Sequence, residues 1–158
     1  MNRNLIRAIQ IFGVLVLTFV ASACTSSSPP AAAPAPTASN SITGIVWQWT
    51  SLTNQTTKQT TTVPKPENYT IVFNADGTLT GKADCNTFTG TYSQTNGFSI
   101  KLGATTLAAC PEGSLASQYL TLLSSVAAGG PDGLGGLALE TAGGEQRMMF
   151  KNGGPAPK

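Results

Sequence analysis

The sequence predicts an α+β domain, a small and strongly curved antiparallel β-sheet or partly open barrel of about six to eight strands with one helix packed on it. Three observations predict this class. Short runs alternate apolar and polar residues, turn signals such as Asn74–Gly77 and Asn96-Gly97 separate those runs, and one apolar stripe with helical spacing follows Ser114.

The strands are predicted from this alternation and from the turns between them. They are Ile45–Thr50, Tyr69–Phe73, Thr78–Ala83, Thr87–Tyr92, Phe98–Leu102, Leu137–Thr141 and Arg147–Lys151. Trp47 and Trp49 share one face of the first strand and are interpreted as core, with a sugar-stacking platform as the alternative. The Thr-rich segment 53–67 is either a long loop or an irregular edge hairpin.

The helix is predicted from a stripe that packs on the sheet, with Ser114 as its N-cap. The apolar residues of the stripe are Leu115, Tyr119, Leu122, Leu123 and Val126. Gly129-Gly130 is expected to end the helix, and the glycine-rich run 129–136 is expected to be a flexible connection.

The N-terminus predicts export. Arg3 and Arg7 precede a mostly apolar stretch, and small residues lead into Cys24, which is typical of a signal peptide over residues 1–23. The sequence around Cys24 resembles a lipobox, in which the cysteine carries diacylglycerol. The alternative is a cleaved, soluble secreted protein. We therefore expect an extracytoplasmic protein of a bacterium, held by lipid on Cys24 at the cell membrane or outer membrane.

Composition divides the rest of the chain. Residues 24–41 are the lipidated cysteine and a tether rich in Ser, Pro and Ala, which extended would reach up to about 50 Å. Residues 42–151 form the domain, and residues 152–158 are expected to be a disordered tail.

Charge and residue types exclude several functions. The chain has nine basic and seven acidic residues, and removal of Arg3 and Arg7 leaves seven of each. A neutral domain has no basic surface for nucleic acid. The absence of histidine excludes Ser-His-Asp catalysis and His-ligated zinc. We expect no metal, no cofactor and no catalytic residues.

Cys85 and Cys110 remain after lipidation of Cys24. Outside the cytoplasm, an even pair in a small domain predicts a disulfide. A redox pair is the alternative, although redox pairs usually have the spacing Cys-x-x-Cys.

Several motifs together resemble the META/HslJ-like family. They are the opening Ile42-x-Gly44-x-x-Trp47, the hairpin from Tyr69 to Gly81, the segment Gly81–Tyr92 around Cys85-Asn86, the run Thr105–Pro111, the helix residues Tyr119-Leu120-x-x-Leu123, and the closing Leu137-x-Leu139 and Met148-x-Phe150. The chain departs from the family at Asp84, where Gly is usual, and at Gln118, where Glu is frequent. The resemblance implies a small α+β domain, common on bacterial lipoproteins and linked to heat shock and novobiocin resistance, without an established enzymatic activity.

These observations predict a non-enzymatic, monomeric envelope protein that binds an unknown protein or small ligand, or supports tolerance of envelope stress. The candidate binding surface is Asp84, Asn86 and Thr87, although Asn86 at a strand end more often bonds the local backbone. Asp84 is expected to cap locally or to pair with Lys82. One alternative is a protein-partner or inhibitor module that uses loops around the disulfide or the Thr-rich segment. Another is an enzyme that uses carboxylates, namely Asp84, Glu112 or Asp132.

Overall fold

A computed structural model describes residues 41–157 and confirms the predicted fold class. Within these residues the chain forms nine strands and one α-helix. The strands are β1 (Ile45–Asn54), β2 (Thr60–Thr62), β3 (Tyr69–Phe73), β4 (Thr78–Ala83), β5 (Asn86–Ser93), β6 (Ser99–Thr105), β7 (Val126–Pro131), β8 (Leu137–Thr141) and β9 (Gln146–Pro155), and the helix is α1 (Ala116–Ser124). One-turn 3₁₀ helices cover Pro66–Asn68 and Ala142–Gly144.

The sheet is antiparallel, with the strand order β6-β5-β4-β3-β1-β9-β8-β7, and β2 pairs with β1 beside this path. Two meanders, β3 to β6 and β7 to β9, therefore meet on the two sides of β1. The two edge strands of the sheet, β6 and β7, also approach each other. The Phe98 N–H, just before β6, donates to the Ala127 carbonyl in β7 at 3.2 Å. Helix α1 contacts β6 and β4, so the structure is a partly open barrel with a helix packed on it.

Close strand approach and bulges curve the sheet. Gly81 in β4 lies against the Phe88 ring and the Thr70 carbonyl, and a Cβ at this position would collide with both. The pairing of β1 with β9 shifts register twice, and such bulges increase local twist. The resulting curvature encloses the core.

The core is centred on an aromatic cluster. Trp49 stacks on Tyr119 of helix α1 with ring centroids 5.2 Å apart, and Tyr69 meets both rings edge-on at 5.8 Å. Trp47 and Trp49 are 3% and 1% exposed, so their interpretation as core residues is correct. The Trp47 indole N–H donates to the Ile42 carbonyl at 2.8 Å, which satisfies its polar group inside the core.

The predicted end of the helix was wrong. Helix α1 ends at Ser124, and Val126 begins β7 rather than continuing the apolar stripe. Ser114 is one residue early for the N-cap, since Leu115 occupies that position, although the Ser114 hydroxyl accepts the Ala116 N–H at 3.2 Å. The pairing of β7 with β8 satisfies the backbone of this Ala/Gly segment, which explains why the strand forms without a strong local signal.

The glycine-rich run also contains a strand and a hydrogen-bonded turn, where a flexible connection was predicted. Gly129, Gly130 and Pro131 belong to β7. After them, Asp132 accepts the N–H groups of Leu134 and Gly136, each at 2.8 Å, with one carboxylate oxygen. The connection between β7 and β8 is therefore a turn organised by Asp132.

The segment 53–67 contains an edge hairpin, which was one of the two alternatives. Strand β2 pairs with β1, with Thr53 opposite Thr60, and their hydroxyls hydrogen-bond at 2.8 Å. At the C-terminus, the structure differs from the expected disordered tail over 152–155. Asn152 lies opposite Trp47 and Pro155 opposite Ile45, because the start of β1 offers unpaired backbone groups that the tail can use.

The two ends of the barrel carry different parts of the chain. At one end, here called the entry end, the Gly44 N–H donates to the Phe73 carbonyl at 3.0 Å and the Ala156 N–H to the Gly44 carbonyl at 2.9 Å. At the opposite end, here called the loop end, β3 begins with Tyr69 paired to Ala83. The five residues of β3 separate the two ends by about 16 Å.

The predicted signal peptide, the predicted lipid attachment at Cys24 and the predicted tether up to residue 40 lie outside the described residues. Within residues 41–157, no helix is long and apolar enough to cross a membrane.

Candidate functional site

The loop end is organised by Asn86, the first residue of β5, which is 8% exposed. Its side-chain oxygen accepts the Ala108 N–H at 2.8 Å, and its amide nitrogen donates to the Ala108 carbonyl at 3.1 Å. Asn86 therefore holds both main-chain polar groups of one residue, as a neighbouring strand would. We call this pair of hydrogen bonds the Asn86–Ala108 clamp.

A disulfide reinforces the clamp. Cys85 and Cys110 are bonded, with their Cα atoms 5.4 Å apart, which confirms the predicted pairing. The Asn86 amide also lies 3.3 Å from the Cys110 sulfur. The segment after β6 is thus fixed to the start of β5 at two successive points, Ala108 and Cys110.

Thr106 provides a third point of attachment. Its N–H donates to the Thr87 carbonyl at 3.0 Å, and its hydroxyl accepts the Thr87 N–H at 3.0 Å while donating to the Asn86 side-chain oxygen at 3.0 Å. We call residues 106–110, held through Thr106, Ala108 and Cys110, the clamped loop.

The two residues between these attachment points, Leu107 and Ala109, form no hydrogen bonds within residues 41–157. Leu107 is 94% exposed. Residues 106–110 contain no turn or bend and no positive φ angle, so the loop is extended. In an extended chain the backbone groups of alternate residues point to opposite sides, so Leu107 and Ala109 present N–H and C=O groups away from β5.

Asp84 occupies the turn between β4 and β5 in a left-handed conformation, with φ of 58°. Its N–H donates to the Asn68 carbonyl at 2.7 Å, and its carboxylate accepts the Asn68 amide at 3.2 Å. The Lys82 ammonium instead donates to the Asn68 side-chain oxygen at 3.0 Å. The expected pair between Asp84 and Lys82 is therefore replaced by an arrangement in which Asn68 bridges the two.

The three residues of the predicted binding surface do not share one pocket. Asp84 lines a cleft of about 240 Å³ together with Lys65 and Glu112. Thr87 lines a more apolar groove of about 640 Å³ on the outer face of the sheet, beside Val46 and Val72. The Asn86 side chain is used internally by the clamp. It bonds backbone as the structural interpretation predicted, but the partner Ala108 is 22 residues away and not local.

The three carboxylates of the enzyme alternative, Asp84, Glu112 and Asp132, do not lie together either. Asp84 and Glu112 line the same cleft, whereas Asp132 lies in the turn after β7 and binds backbone N–H groups there. Within residues 41–157, no group of three or more His, Cys, Asp or Glu residues could hold a metal ion.

One polar group of the core has no partner. The hydroxyl of Tyr119, on helix α1, is fully buried and makes no hydrogen bond among the described residues. Burial raises the pKa of this phenol well above its ordinary value, because the charged form would lose its hydration. The neighbouring Tyr69 hydroxyl, in contrast, accepts the Leu115 N–H at 2.9 Å at the start of the helix.

Sequence reasoning did not single out Leu107. The run Thr105–Pro111 was recognised only as a motif around the second cysteine. The available signal is that Leu107 is the one large apolar residue between Thr105 and Cys110, with no neighbour that continues an alternating or helical pattern. A large apolar residue outside any periodic pattern is a candidate for exposure.

A curved antiparallel sheet with one helix and a disulfide-held loop defines a small α+β domain. The META domain profile matches residues 40–153, and the chain belongs to the META domain family.

Two solved structures share the fold. An NMR structure of a protein from Burkholderia xenovorans has a TM-score of 0.57 and 20% identity, covering 80% of this chain and 95% of that one. A crystal structure of a DUF4847 family protein from Bacteroides vulgatus has a TM-score of 0.50 and 16% identity, covering 70% of this chain and 93% of that one. At these identities the likeness concerns the fold alone. No curated protein matches the sequence.

Proposed function

We propose that this protein is a non-enzymatic binding module of the bacterial cell envelope, anchored by lipid on Cys24, with the clamped loop as its binding surface. The observation that carries the proposal is the Asn86–Ala108 clamp beside the Cys85–Cys110 disulfide. Together they hold an exposed apolar residue, Leu107, on an extended and rigid segment. A binding loop fixed before it meets its partner loses little conformational entropy on association.

The first described residues and the clamped loop lie at opposite ends of the barrel. The described chain begins at the entry end, next to Gly44 and Phe73, and the predicted tether precedes it. The clamped loop follows β6 at the loop end, where Phe88 pairs with Thr105. The clamped loop is therefore at the end of the barrel opposite to the one where the described chain begins, and the start of the chain does not cover it.

The chemistry of the loop favours a protein partner. No charged residue occurs from Leu102 to Pro111, so the loop itself offers a partner no charged group. Leu107 supplies an apolar side chain, and Leu107 and Ala109 supply unpaired backbone groups. An extended segment of this kind binds by strand addition, with main-chain hydrogen bonds for affinity and a side-chain pocket for specificity.

Site-specific photo-crosslinking in living cells tests the proposed surface. A crosslinking side chain replaces Leu107 in one variant and Leu134 in another, since Leu134 is 93% exposed in the turn between β7 and β8. We expect one discrete adduct from position 107 and none from position 134. Equal adducts from both positions, or none from position 107, would contradict the assignment of the loop.

The anchor is tested separately. Wild-type protein is expected to incorporate labelled palmitate and Cys24→Ala protein is not. A strain without the protein is expected to be more sensitive to antibiotics, heat or detergent, and to be restored by the wild type but not by Cys24→Ala. Full restoration by Cys24→Ala would show that the anchor is dispensable.

A further inference from the structure

We propose that the clamped loop is a substrate-like inhibitory loop for a serine endopeptidase with an apolar specificity pocket, with Leu107 as the residue that enters that pocket. This inference rests on the proposed binding function and names its partner class. The observation behind it is the arrangement of the clamp around a single peptide bond, the one that joins Leu107 to Ala108.

The loop already has the conformation that such an enzyme requires. Endopeptidases bind their substrates extended, through backbone hydrogen bonds to the residue before the cleaved bond and through a pocket for its side chain. Leu107 has a 94% exposed side chain, and its N–H and C=O make no hydrogen bond within residues 41–157. The residue on each side of it, Thr106 and Ala108, is fixed instead.

The clamp explains why such a loop would inhibit rather than be consumed. Cleavage adds one water across the Leu107–Ala108 bond, leaving a carboxylate on Leu107 and an ammonium group on Ala108. On one side, Thr106 remains bonded to Thr87 and Asn86. On the other side, Ala108 remains bonded to Asn86, and Cys110 remains bonded to Cys85.

Both new ends therefore stay in place after cleavage. The amine of Ala108 is held beside the carbonyl carbon that it left, so the reverse reaction, which releases the water again, competes with departure of the product. An ordinary extended loop would separate after cleavage, because nothing would hold its second half. The expected behaviour is slow cleavage with a persistent complex.

The residues beside Leu107 are small, so they would let the surface of an endopeptidase come close to the loop. Ala108 and Ala109 follow it and are exposed, and Thr106 precedes it. No charged side chain stands within the loop, so the selectivity of the loop depends on the residue at position 107. The specificity pocket of such an enzyme is set by shape and charge, with an aspartate that accepts basic residues in trypsin and an apolar slot in chymotrypsin.

The test measures inhibition of chymotrypsin, subtilisin and trypsin by the full-length chain in detergent. We expect competitive inhibition of chymotrypsin or subtilisin with a constant below about 1 μM. Leu107→Gly is expected to weaken it by about 100-fold or more, and Leu107→Lys to transfer inhibition to trypsin. Leu134→Lys is the matched control and should behave as wild type. An unchanged thermal midpoint in all three variants shows that each is folded.

Three results would overturn the inference. The first is no inhibition of either chymotrypsin or subtilisin by folded wild-type protein. The second is cleavage at Leu107–Ala108 followed by release without a lasting complex. The third is a partner crosslinked in cells through position 107 that is not an endopeptidase, which would leave the proposed binding function standing. Absence of any partner at position 107 would contradict both.

Discussion

The Asn86 side chain binds both main-chain polar groups of Ala108, accepting its N–H at 2.8 Å and donating to its carbonyl at 3.1 Å. One side chain thereby replaces a missing strand next to β5, because the amide group carries the same donor and acceptor as a backbone peptide. The neighbouring disulfide closes the same loop covalently. Together with the hydrogen bonds of Thr106, these contacts attach the clamped loop to the start of β5 at three points.

Replacement of Asn86 by aspartate should release the loop. A carboxylate has no donor for the Ala108 carbonyl, so Asn86→Asp leaves that group unpaired next to a charge and is expected to lower the free energy of unfolding by about 2 kcal/mol. Urea denaturation measures the change. Asn54→Asp is the control, because the Asn54 side chain only accepts N–H groups, from Thr56 and Thr57 at 2.9 Å. Equal losses in both variants would contradict the role of the clamp.

Removal of the disulfide should lower the free energy of unfolding by more than Asn86→Asp does. The 25-residue separation of Cys85 and Cys110 predicts a loss of about 3–4 kcal/mol through the entropy of the unfolded chain. The double variant Cys85→Ser/Cys110→Ser, or the wild type under reducing conditions, should show this loss in urea denaturation. Coincident transitions with and without reductant would show that the bond does not constrain the unfolded chain.

The left-handed backbone conformation at Asp84 should make the stability of the protein depend on which side chain occupies this position. A φ of 58° is easy for glycine, tolerated by aspartate and strained for β-branched residues. Asp84→Gly is expected to stay within about 0.5 kcal/mol of wild type, since relief of strain offsets the lost bond to Asn68. Asp84→Val is expected to lose about 2 kcal/mol. Similar stability of the glycine and valine variants in urea denaturation would show that this backbone conformation is unimportant.

The buried tyrosine hydroxyls should respond in opposite directions. Tyr119→Phe removes a hydroxyl without a partner and is expected to raise the free energy of unfolding by about 1 kcal/mol. Tyr69→Phe removes the acceptor of the Leu115 N–H and is expected to lower it by about 1 kcal/mol. Thermal or urea denaturation compares the two. A loss in Tyr119→Phe would indicate a partner for that hydroxyl.

Tyr119 also predicts a dependence on pH. The pKa of Tyr119 is raised in the folded protein. Below the ordinary tyrosine value of about 10, ionisation of Tyr119 therefore does not affect the free energy of unfolding. Above that value the unfolded chain ionises first, so the free energy of unfolding declines as the pH rises. Alkaline denaturation should therefore begin at higher pH in Tyr119→Phe than in wild type. Identical alkaline transitions would contradict the burial of this phenol.

Local patterns in the sequence were sufficient for most of the sheet. Alternation around Trp47 and Trp49 predicted their burial, and the turn signals at Asn74–Gly77 and Asn96-Gly97 predicted the hairpins that form. Strands β3, β4 and β8 have the predicted bounds. Each of these features depends on residues close together in the chain, which is why a single sequence reveals them.

The errors arose where pairing partners are distant. Strand β7, made of Ala and Gly after Val126, forms because β8 pairs with it. The last residues of β9 pair with Ile45 and Trp47 at the start of β1. The partner of Asn86 lies 22 residues away, and the exposure of Leu107 follows from that contact. No local signal reports these relationships.

Amide hydrogen exchange of residues 106–109, resolved by NMR, tests the central claim most directly. The account predicts alternation, with slow exchange at Thr106 and Ala108, whose N–H groups are bonded, and fast exchange at Leu107 and Ala109. Uniformly fast exchange over the four amides would show that the loop is not clamped. Uniformly slow exchange would show that Leu107 has no free edge to offer a partner.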